Sequence, residues 1–306
     1  MKTRIVVLGG EKLSALMQLQ GGDAIEVRDI TEQILTRESR VRRLYRYIRA
    51  IRDCDIVINM FVTNRSVLLA RIAHFFRKPF VAYWIGTDVY NFLNKRSFST
   101  RFFDANWAYA YSLKEELEPS VSPVEKITLY PLDMDYTLAK MPKEHAVMMY
   151  IPEGKEEFYN YELAVQLINA FPNLQFHIVA NGKSELFSQQ NVTAHGFIST
   201  EEMNELFNKI SIVVRAPLHD GQSLSIMEGQ LKGKYVIYNM LWPYTIRAQT
   251  SEDFQNEIGR LITKPPQVQI AAHDFAVQEC DKGKARAKLL ELIERACEVK
   301  NSKNSR

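Results

Sequence analysis

Short runs of branched and apolar residues alternate with helical patterns along this chain, and that alternation constrains its fold more than any other feature. The runs are typical of strands buried on both faces of a parallel sheet, with the intervening segments covering the sheet as helices. The predicted strands span residues 5–8, 55–60, 80–85, 105–110, 127–130, 146–151, 175–180, 192–197, 210–214 and 235–238. Strands that alternate with helices in this way predict an α/β protein with parallel, doubly wound sheets.

Chain length and two breaks in the pattern predict the domain organisation. A chain of 306 residues suits two domains of ordinary size. The periodicity is lost over residues 138–145, which include Pro142, and Pro265-Pro266 interrupts the chain again. We therefore expect an N-terminal Rossmann-like domain over 1–142 and a C-terminal Rossmann-like domain over 143–268. A C-terminal helix over 269–306 is expected to pack back toward the first domain and to end in a frayed polar tail.

Composition limits the classes of protein to which the chain can belong. Hydrophobic residues make up 46% and charged residues 25%, which provides a normal core and excludes wholesale disorder. The net charge of +3 gives no argument for a nucleic-acid partner. Cys54, Cys280 and Cys297 are widely spaced and form no Cys-x-x-Cys pair, which indicates free thiols in a reducing compartment. No bound metal is expected, since no histidine-rich cluster has ligand spacing.

The N-terminus and the apolar segments predict where the protein resides. The first apolar run is too short for a signal peptide, and no stretch is long enough for a membrane span. We expect a cytoplasmic protein, and contact with the inner face of the membrane remains open.

An arginine-rich segment over residues 36–52 is the strongest charge feature. It carries seven arginines, and Val41, Leu44, Tyr45, Ile48 and Ile51 recur at helical spacing. One interpretation is a solvated amphipathic helix that covers the sheet. The other is a basic face that meets anionic lipid or an anionic acceptor.

The segment 215–233, R-A-P-L-H-D-G-Q-S-L-S-I-M-E-G-Q-L-K-G, concentrates polar chemistry at the end of a predicted strand. Ser223 is a candidate N-cap, because its hydroxyl can accept from a backbone N–H one turn on, and Gly233 suits the C′ position. A helix N-terminus after a parallel strand binds anions readily. Asp220 and Glu228 could converge on one ligand, although an ordinary strand–loop–helix unit would read the same way.

Several of these motifs resemble one known family. Asp220-x7-Glu228 follows H-G-F-I-S-T-E-E-M-N-E-L-F-N-K-I-S-I-V-V-R, and the first half contains W-I-G-T-D-V and K-I-T-L-Y-P-L-D-M-D-Y. This order resembles the retaining, family-four glycosyltransferases of the GT-B fold, in which a Glu-x7-Glu motif holds the nucleotide-sugar donor. The resemblance implies two Rossmann-like domains that face each other across a cleft. It also implies retaining, metal-independent transfer of a sugar from a nucleoside diphosphate to a hydroxyl of a lipid-linked or polysaccharide acceptor, without a cofactor.

The resemblance and the chemistry of transfer assign roles to individual residues. Negative charge grows on the leaving diphosphate, so Arg215 and Lys155 are the expected catalytic cations, and Asp220 would bind the sugar or stabilise its developing positive charge. The expected donor-binding residues are Gly10, His219, Gly221, Gln222, Ser223, Leu224 and Glu228, the last accepting hydrogen bonds from ribose. The expected acceptor-side residues are Gly86, Thr87 and Asp88, with turn capping as the alternative for Asp88.

Two other functions stay open from the sequence. A non-catalytic GT-B module that binds a nucleotide or a protein partner is one, because Ile151-Pro152-Glu153-Gly154-Lys155 stands where the family has Gly-Arg. A nicotinamide-dependent enzyme is the other. It rests only on Gly9-Gly10, which lacks the third glycine and the acidic residue of a dinucleotide fingerprint.

Overall fold

The chain divides into two units, each built around one parallel sheet. The computed structural model describes residues 2–30, 39–95, 98–129, 134–183, 187–221 and 223–304. The first unit comprises Met1–Met134 together with Cys280–Arg306, and the second comprises Asp135–Glu279. The two Rossmann-like domains predicted from the sequence are confirmed.

The first unit contains a six-stranded parallel sheet in the order β2-β1-β3-β4-β5-β6. Every residue of the third and fourth strands is buried, because helices cover both faces of the sheet. Its strands are β1 (Thr3–Leu8), β2 (Ile25–Ile30), β3 (Ile56–Met60), β4 (Phe80–Trp84), β5 (Ala105–Ala108) and β6 (Val124–Lys126). Its helices before the domain boundary are α1 (Glu11–Gly21), α2 (Arg40–Asp53), α3 (Asn64–Phe75), α4 (Thr87–Lys95) and α5 (Tyr111–Leu117), with a short 3-10 helix at Gly22–Ala24.

The second unit contains another six-stranded parallel sheet, in the order β12-β11-β10-β7-β8-β9. Its strands are β7 (Ala146–Tyr150), β8 (Gln175–Val179), β9 (Val192–Ala194), β10 (Ile212–Arg215), β11 (Tyr235–Tyr238) and β12 (Ile246–Arg247). Its helices are α6 (Tyr161–Ala170), α7 (Thr200–Phe207), α8 (Leu224–Leu231), α9 (Ser251–Ile262) and α10 (Ile270–Glu279).

The last helix, α11 (Lys282–Asn304), belongs to the first unit. Leu289, Leu292 and Ile293 are buried on one face of it, at helical spacing, and pack in the same core cluster as β1 and β3. Each buried Leu or Ile contributes roughly 1.5–3 kcal/mol of apolar transfer free energy. The span 269–306 therefore holds two helices, of which α10 lies in the second unit and α11 covers the sheet of the first.

The order of the strands identifies a switch point in each sheet. The second sheet, counted from its first strand β7, has the order 3-2-1-4-5-6 of the dinucleotide-binding fold, and it reverses between β7 and β10. The first sheet has the order 2-1-3-4-5-6 and reverses between β1 and β3. Ligands of such sheets bind outside the carboxyl ends of the strands at this point.

Some local predictions were wrong. The strand predicted at 127–130 lies at β6 instead; Ile127 only extends the ladder by one bond to Ala108, and Tyr130 is outside the described residues. The helix predicted over 36–52 begins at Arg40 in the described part, and residues 36–38 fall outside it. The Gly-Thr-Asp segment follows β4 as expected, and Thr87 is the first residue of α4. Strands β2 and β12 and helices α4 and α10 were not predicted.

Candidate functional site

Three neighbouring strands of the second sheet end in polar residues at the same edge. Tyr150, Arg215 and Tyr238 are the last residues of β7, β10 and β11. Arg215 is in register with Tyr238, and Val214 is in register with Met149, one residue before Tyr150. Parallel pairing therefore brings the three side-chain positions together at the switch point of the sheet.

Arg215 is held by an ion pair and two aromatic rings. Its Nε donates to Oδ2 of Asp220 at 2.6 Å, and the Tyr238 hydroxyl donates to the same oxygen at 3.1 Å. The guanidinium carbon lies 5.6 Å from the ring centroid of Tyr150 and 5.0 Å from that of Tyr159. These are cation–π distances. Arg215 is therefore a rigid, oriented cation at the end of β10.

Burial and pairing act in opposite directions on Arg215. Only 7% of its side chain is exposed, and burial alone would lower its pKa. The charge and hydrogen bond of Asp220 raise the pKa above its ordinary value, so the guanidinium stays ionised. Removal of one partner from such a buried pair leaves the other charge uncompensated.

The turn after β10 leads into α8, and its hydrogen bonds differ in one respect from the prediction. Ser223 does occupy the N-cap position, but its hydroxyl bonds to the Ser225 hydroxyl at 3.0 Å and makes no capping bond. Gly221 is half-buried and Leu224 is exposed as the first residue of the helix. Gln222 lies outside the described residues. The first amides of α8 therefore have no side-chain cap from Ser223.

Glu228 lies on the second turn of α8, and it is the other acidic residue of the motif. Burial raises the pKa of Glu228 to about 7, and the charge of Lys232 opposes that rise. Lys232 itself forms an ion pair with Asp135. No hydrogen bond or ion pair joins Glu228 to Arg215 or Asp220 in the described part of the chain. Glu228 is thus a carboxyl group that changes its charge near neutral pH.

The remaining predicted donor-side residues of this unit lie in loops. Lys155 is exposed in the turn after β7, where its backbone N–H donates to Pro152 and its carbonyl accepts from Tyr159. His219 is half-buried next to Asp220. The structure brings Arg215 and Asp220 into direct contact, and it places Lys155 on a separate loop of the same unit.

The tyrosines around Arg215 were missed from the sequence. Tyr150, Tyr159 and Tyr238 each contact Arg215 or Asp220, yet they come from three separate segments. The aromatic residues at the ends of adjacent predicted strands were the available signal.

Gly10 lies at the switch point of the first sheet, directly after β1. Gly9 and Gly10 both adopt positive φ angles, 85° and 87°, which favour glycine. A Cβ on Gly9 would meet the Met60 carbonyl oxygen at 3.0 Å, and one on Gly10 would meet the Met60 sulfur at 3.2 Å. The two glycines therefore let the chain turn tightly against the end of β3.

Asp88 has a structural role in the first unit. Its carboxylate accepts hydrogen bonds from the backbone N–H groups of Val62, Ile85, Gly86 and Val89, at 2.8–3.1 Å in the shortest case for each donor. Burial raises the pKa of Asp88, and these hydrogen bonds oppose the rise. Gly86 is buried and Thr87 is exposed beside it. The carboxylate joins the loops after β3 and β4, which favours capping over contact with an acceptor.

Acidic pairs with Asp-x-Asp spacing occur at 53/55 and 133/135. Asp53 pairs with Arg52 and Asp55 with Arg4, both through oxygen–nitrogen distances of 2.8 Å. Asp135 is held by Lys232, and Asp133 lies outside the described residues. Within the described ranges, no group of three or more His, Cys, Asp or Glu side chains is arranged so that it could hold a metal ion.

A histidine pair lies on the last two strands of the second sheet, with His177 on β8 and His195 directly after β9. Nδ1 of His177, on β8, lies 3.0 Å from Nε2 of His195. Burial lowers the pKa of His177 to about 4, with smaller contributions from His195 and Lys209. The two imidazole rings are hydrogen-bonded to each other, and the lowered pKa of His177 makes the pair sensitive to pH.

This pair predicts acid sensitivity of the second unit. Between the ordinary pKa of 6.5 and the folded pKa of about 4, the unfolded chain binds a proton at His177 that the folded chain does not. The free energy of unfolding therefore decreases as the pH falls, by about 2 kcal/mol at pH 5 relative to pH 7.5. Urea unfolding of the wild type and of His177→Gln at both pH values measures the difference. An identical pH dependence of the two proteins would contradict it.

Comparisons with known proteins identify the fold. No protein-family model and no curated protein matches the chain by sequence. Among solved structures, the lipopolysaccharide outer core galactosyltransferase WaaB is 13% identical with a TM-score of 0.68, over 95% of this chain and 99% of that one. Sucrose-phosphate synthase from Thermosynechococcus elongatus is 13% identical with a TM-score of 0.64, over 96% and 98%. UDP-GlcNAc 2-epimerase from Neisseria meningitidis, bound to UDP-GlcNAc, is 12% identical with a TM-score of 0.50, over 91% and 99%.

At these identities the likeness establishes the fold alone. The described helices include none with the length and apolar character needed to cross a membrane. The chain has two Rossmann-like domains, and its fold is that of the GT-B glycosyltransferases.

Proposed function

We propose that the protein is a glycosyltransferase that moves a sugar from a nucleoside-diphosphate donor to a hydroxyl of a glycan or lipid-linked acceptor. The observation that supports this most is the position of Arg215, an ionised and oriented cation at the switch point of a 3-2-1-4-5-6 sheet, at the end of the strand that precedes helix α8. Phosphate groups of nucleotides bind at such a point in Rossmann-like sheets. The same proposal includes retention of the anomeric configuration and independence from metal.

Arg215 and the start of α8 would bind the diphosphate. A guanidinium carries five N–H donors, and Asp220 uses the Nε–H, so the terminal Nη groups are assigned to the phosphate oxygens. The first amides of α8 add neutral donors at the positive end of the helix dipole. These groups would stabilise the negative charge that develops on the leaving diphosphate. Lys155, in its exposed loop, is assigned to the stabilisation of the same negative charge.

Asp220 and Glu228 would contact the two sugars of the donor. Asp220 positions Arg215 through Oδ2, and its second oxygen is assigned to a hydroxyl of the transferred sugar. A carboxylate already paired with Arg215 and Tyr238 is a weak nucleophile, which favours attack by the acceptor hydroxyl on the face from which the diphosphate leaves. The acceptor proton then passes to the departing phosphate oxygen. Glu228 is assigned to the ribose diol.

Turnover of a panel of nucleotide sugars tests this proposal. The full-length protein is incubated with UDP-, GDP- and ADP-sugars and with glycan or lipid-linked acceptors, and the released nucleoside diphosphate is quantified. We expect one donor class to be consumed, with a product of the donor's anomeric configuration by NMR. A product with the inverted anomeric configuration would contradict retention. Turnover is expected to be the same with and without a metal chelator. If the protein bound a sugar nucleotide but released no nucleoside diphosphate with any acceptor, the proposal that it is an enzyme would be contradicted.

The titration of Glu228 predicts a pH dependence of donor binding. Ionised Glu228 accepts hydrogen bonds from ribose more strongly than the neutral acid does. With its pKa at about 7, the ionised fraction falls from about nine tenths at pH 8 to about one tenth at pH 6. Affinity for a nucleotide sugar, whose phosphates do not titrate in this range, is therefore expected to fall about tenfold between these pH values. Calorimetric titration measures it.

The matched control for this prediction is Glu228→Gln, which keeps the shape and removes the titration. We expect weaker binding of the donor by this variant at pH 8 and no change between pH 8 and pH 6. A tenfold pH dependence in Glu228→Gln would assign the titration to another group.

A non-catalytic sugar-nucleotide-binding module is the second candidate. The pairing of Arg215 with Asp220 favours it, because each charge offsets the other and less net positive charge is left for the leaving group. A binder that never turns over any donor would support it. Conversion of UDP-GlcNAc to its C2 epimer in the same panel would instead indicate the activity named for one of the structural neighbours.

A further inference from the structure

Helices α2 and α3 of the first unit present large apolar side chains to solvent. Val41 is 78% exposed, Tyr45 is 64% exposed and Phe75 is 79% exposed. Leu44 and Leu68 are exposed as well. Exposed apolar residues are ordinary when they are scattered singly, but these five lie on two helices that pack against each other. The cluster therefore marks an interaction surface.

Helix α2 carries two adjoining apolar stripes that differ in burial. One stripe packs into the core of the unit and consists of Tyr47, Ala50 and Ile51. A second stripe, at a spacing of three and four residues, consists of Val41, Leu44, Tyr45 and Ile48. Because the first stripe already secures the helix to the sheet, the second is not needed for packing within this unit.

A groove connects the second stripe to α3. It has a volume of about 340 Å³ and is lined by Ile48, Arg71, Ile72, Phe75 and Phe76. Four of these five side chains are apolar, and Arg71 lies with its guanidinium 4.8 Å from the Phe102 ring centroid. The apolar surface thus continues from α2 to α3, and Arg71 is the one polar residue among those that line the groove.

Positive charge borders this apolar surface. Helix α2 contains six arginines and α3 two, and the one acidic residue of the two helices is Asp53. Asp53 lies at the end of α2, where Arg52 and Arg49 both pair with it, and the Arg52 hydrogen bond lowers its pKa. At 100° per residue, Arg42 and Arg49 project beside the second stripe on the side away from the core stripe.

We propose that this basic apolar face, made of Val41, Leu44, Tyr45 and Phe75 with Arg42 and Arg49, docks on a bilayer surface rich in anionic phospholipid. The arginines would lie at the level of the phosphates, and the apolar side chains would enter the boundary of the acyl chains. A surface of arginines alone would suit the phosphate backbone of a nucleic acid. This surface also has an exposed apolar area, which a nucleic-acid backbone would not cover. Such a combination matches the chemistry of an anionic lipid interface.

Sedimentation with vesicles tests the proposal independently of catalysis. Full-length protein is mixed with vesicles of phosphatidylcholine alone or with phosphatidylglycerol added, at low and high salt. We expect binding to the anionic vesicles only, and weaker binding at high salt because the arginine–phosphate attraction is screened. Absence of binding to anionic vesicles would overturn the proposal, as would binding of polyuridylate with no binding of vesicles.

Two pairs of variants separate charge from insertion. Arg42→Ser/Arg49→Ser is expected to weaken vesicle binding about 30-fold, since each arginine contributes about 1 kcal/mol near an anionic surface. Val41→Ser/Phe75→Ser is expected to weaken it tenfold or more, because burial of such side chains is lost. Circular dichroism verifies that the exposed substitutions leave the fold intact.

Matched controls lie on other helices of the same unit. Leu19→Ser removes an exposed apolar side chain from α1, and Lys282→Ser/Lys284→Ser removes two exposed charges from α11. Both controls are expected to bind vesicles like the wild type. Full binding by Val41→Ser/Phe75→Ser would overturn insertion, and a loss in the controls equal to that in the test variants would overturn the location of the face.

Discussion

Replacement of Arg215 by methionine is expected to lower the free energy of unfolding of the second unit by about 3–5 kcal/mol. Asp220 would then remain as an uncompensated charge, with only 12% of its side chain exposed. The variant is also expected to lose nucleotide-sugar binding, because the oriented guanidinium is gone. Urea unfolding followed by tryptophan fluorescence, with its midpoint and slope, measures the loss of stability. A loss below about 1 kcal/mol would show that the pair is solvated.

A double variant separates stability from binding. Arg215→Met/Asp220→Asn removes both charges and keeps an acceptor for the Tyr238 hydroxyl. Replacement of a whole buried ion pair by neutral groups is often nearly neutral for stability, so most of the loss in Arg215→Met should be recovered. Donor binding should not be recovered. If the double variant binds the donor like the wild type, Arg215 is not a phosphate ligand.

Replacement of Asp88 by alanine is expected to cost the first unit about 3–4 kcal/mol of unfolding free energy. The backbone N–H groups of Val62, Ile85 and Gly86 would lose the partner that the carboxylate supplies, whereas the Val89 N–H keeps its hydrogen bond to the Gly86 carbonyl. Each buried donor left unsatisfied costs about 1–3 kcal/mol, and water entering the loops offsets part of the sum. Thermal and urea unfolding measure the effect.

Thr87→Ala is the control for Asp88. Thr87 is adjacent and exposed, so its substitution should change stability by less than about 0.5 kcal/mol. If Asp88→Ala were as stable as the wild type but failed to use an acceptor, Asp88 would be an acceptor ligand and its structural role would be wrong.

The sequence predicted those strands that are buried on both faces. At the edges of the sheets it predicted β9, but it missed β2 and β12 and misplaced β6. Strands β3 and β4 are uninterrupted apolar runs, because helices cover both of their faces. Strand β2 lies at an edge, and its apolar residues alternate with charged ones such as Glu26 and Arg28, so it contains no uninterrupted apolar run like those that identified β3 and β4. Strand β6, at the opposite edge, is only Val124–Lys126 and reads as polar.

The sequence predicted which charged residues form the candidate site, but it did not predict which side chains they contact. The position of Arg215 at the end of a buried strand follows from the local pattern, and so does the helix after it. Its contacts with Tyr150 and Tyr238 depend on the register of three strands that are distant in the sequence. Likewise, the carboxylate of Asp88 turns toward Val62, which the Gly-Thr-Asp motif does not reveal.

Calorimetric titration of the wild type and of Arg215→Met/Asp220→Asn with a panel of UDP-, GDP- and ADP-sugars tests the central claim most directly. The donor site at the end of β10 predicts that one class binds the wild type and that the stable double variant binds it at least a hundredfold more weakly, the loss of about 3 kcal/mol expected for a charge-assisted pair of hydrogen bonds. Equal affinity of both proteins for that donor, or no binding of any sugar nucleotide to the wild type, would contradict it.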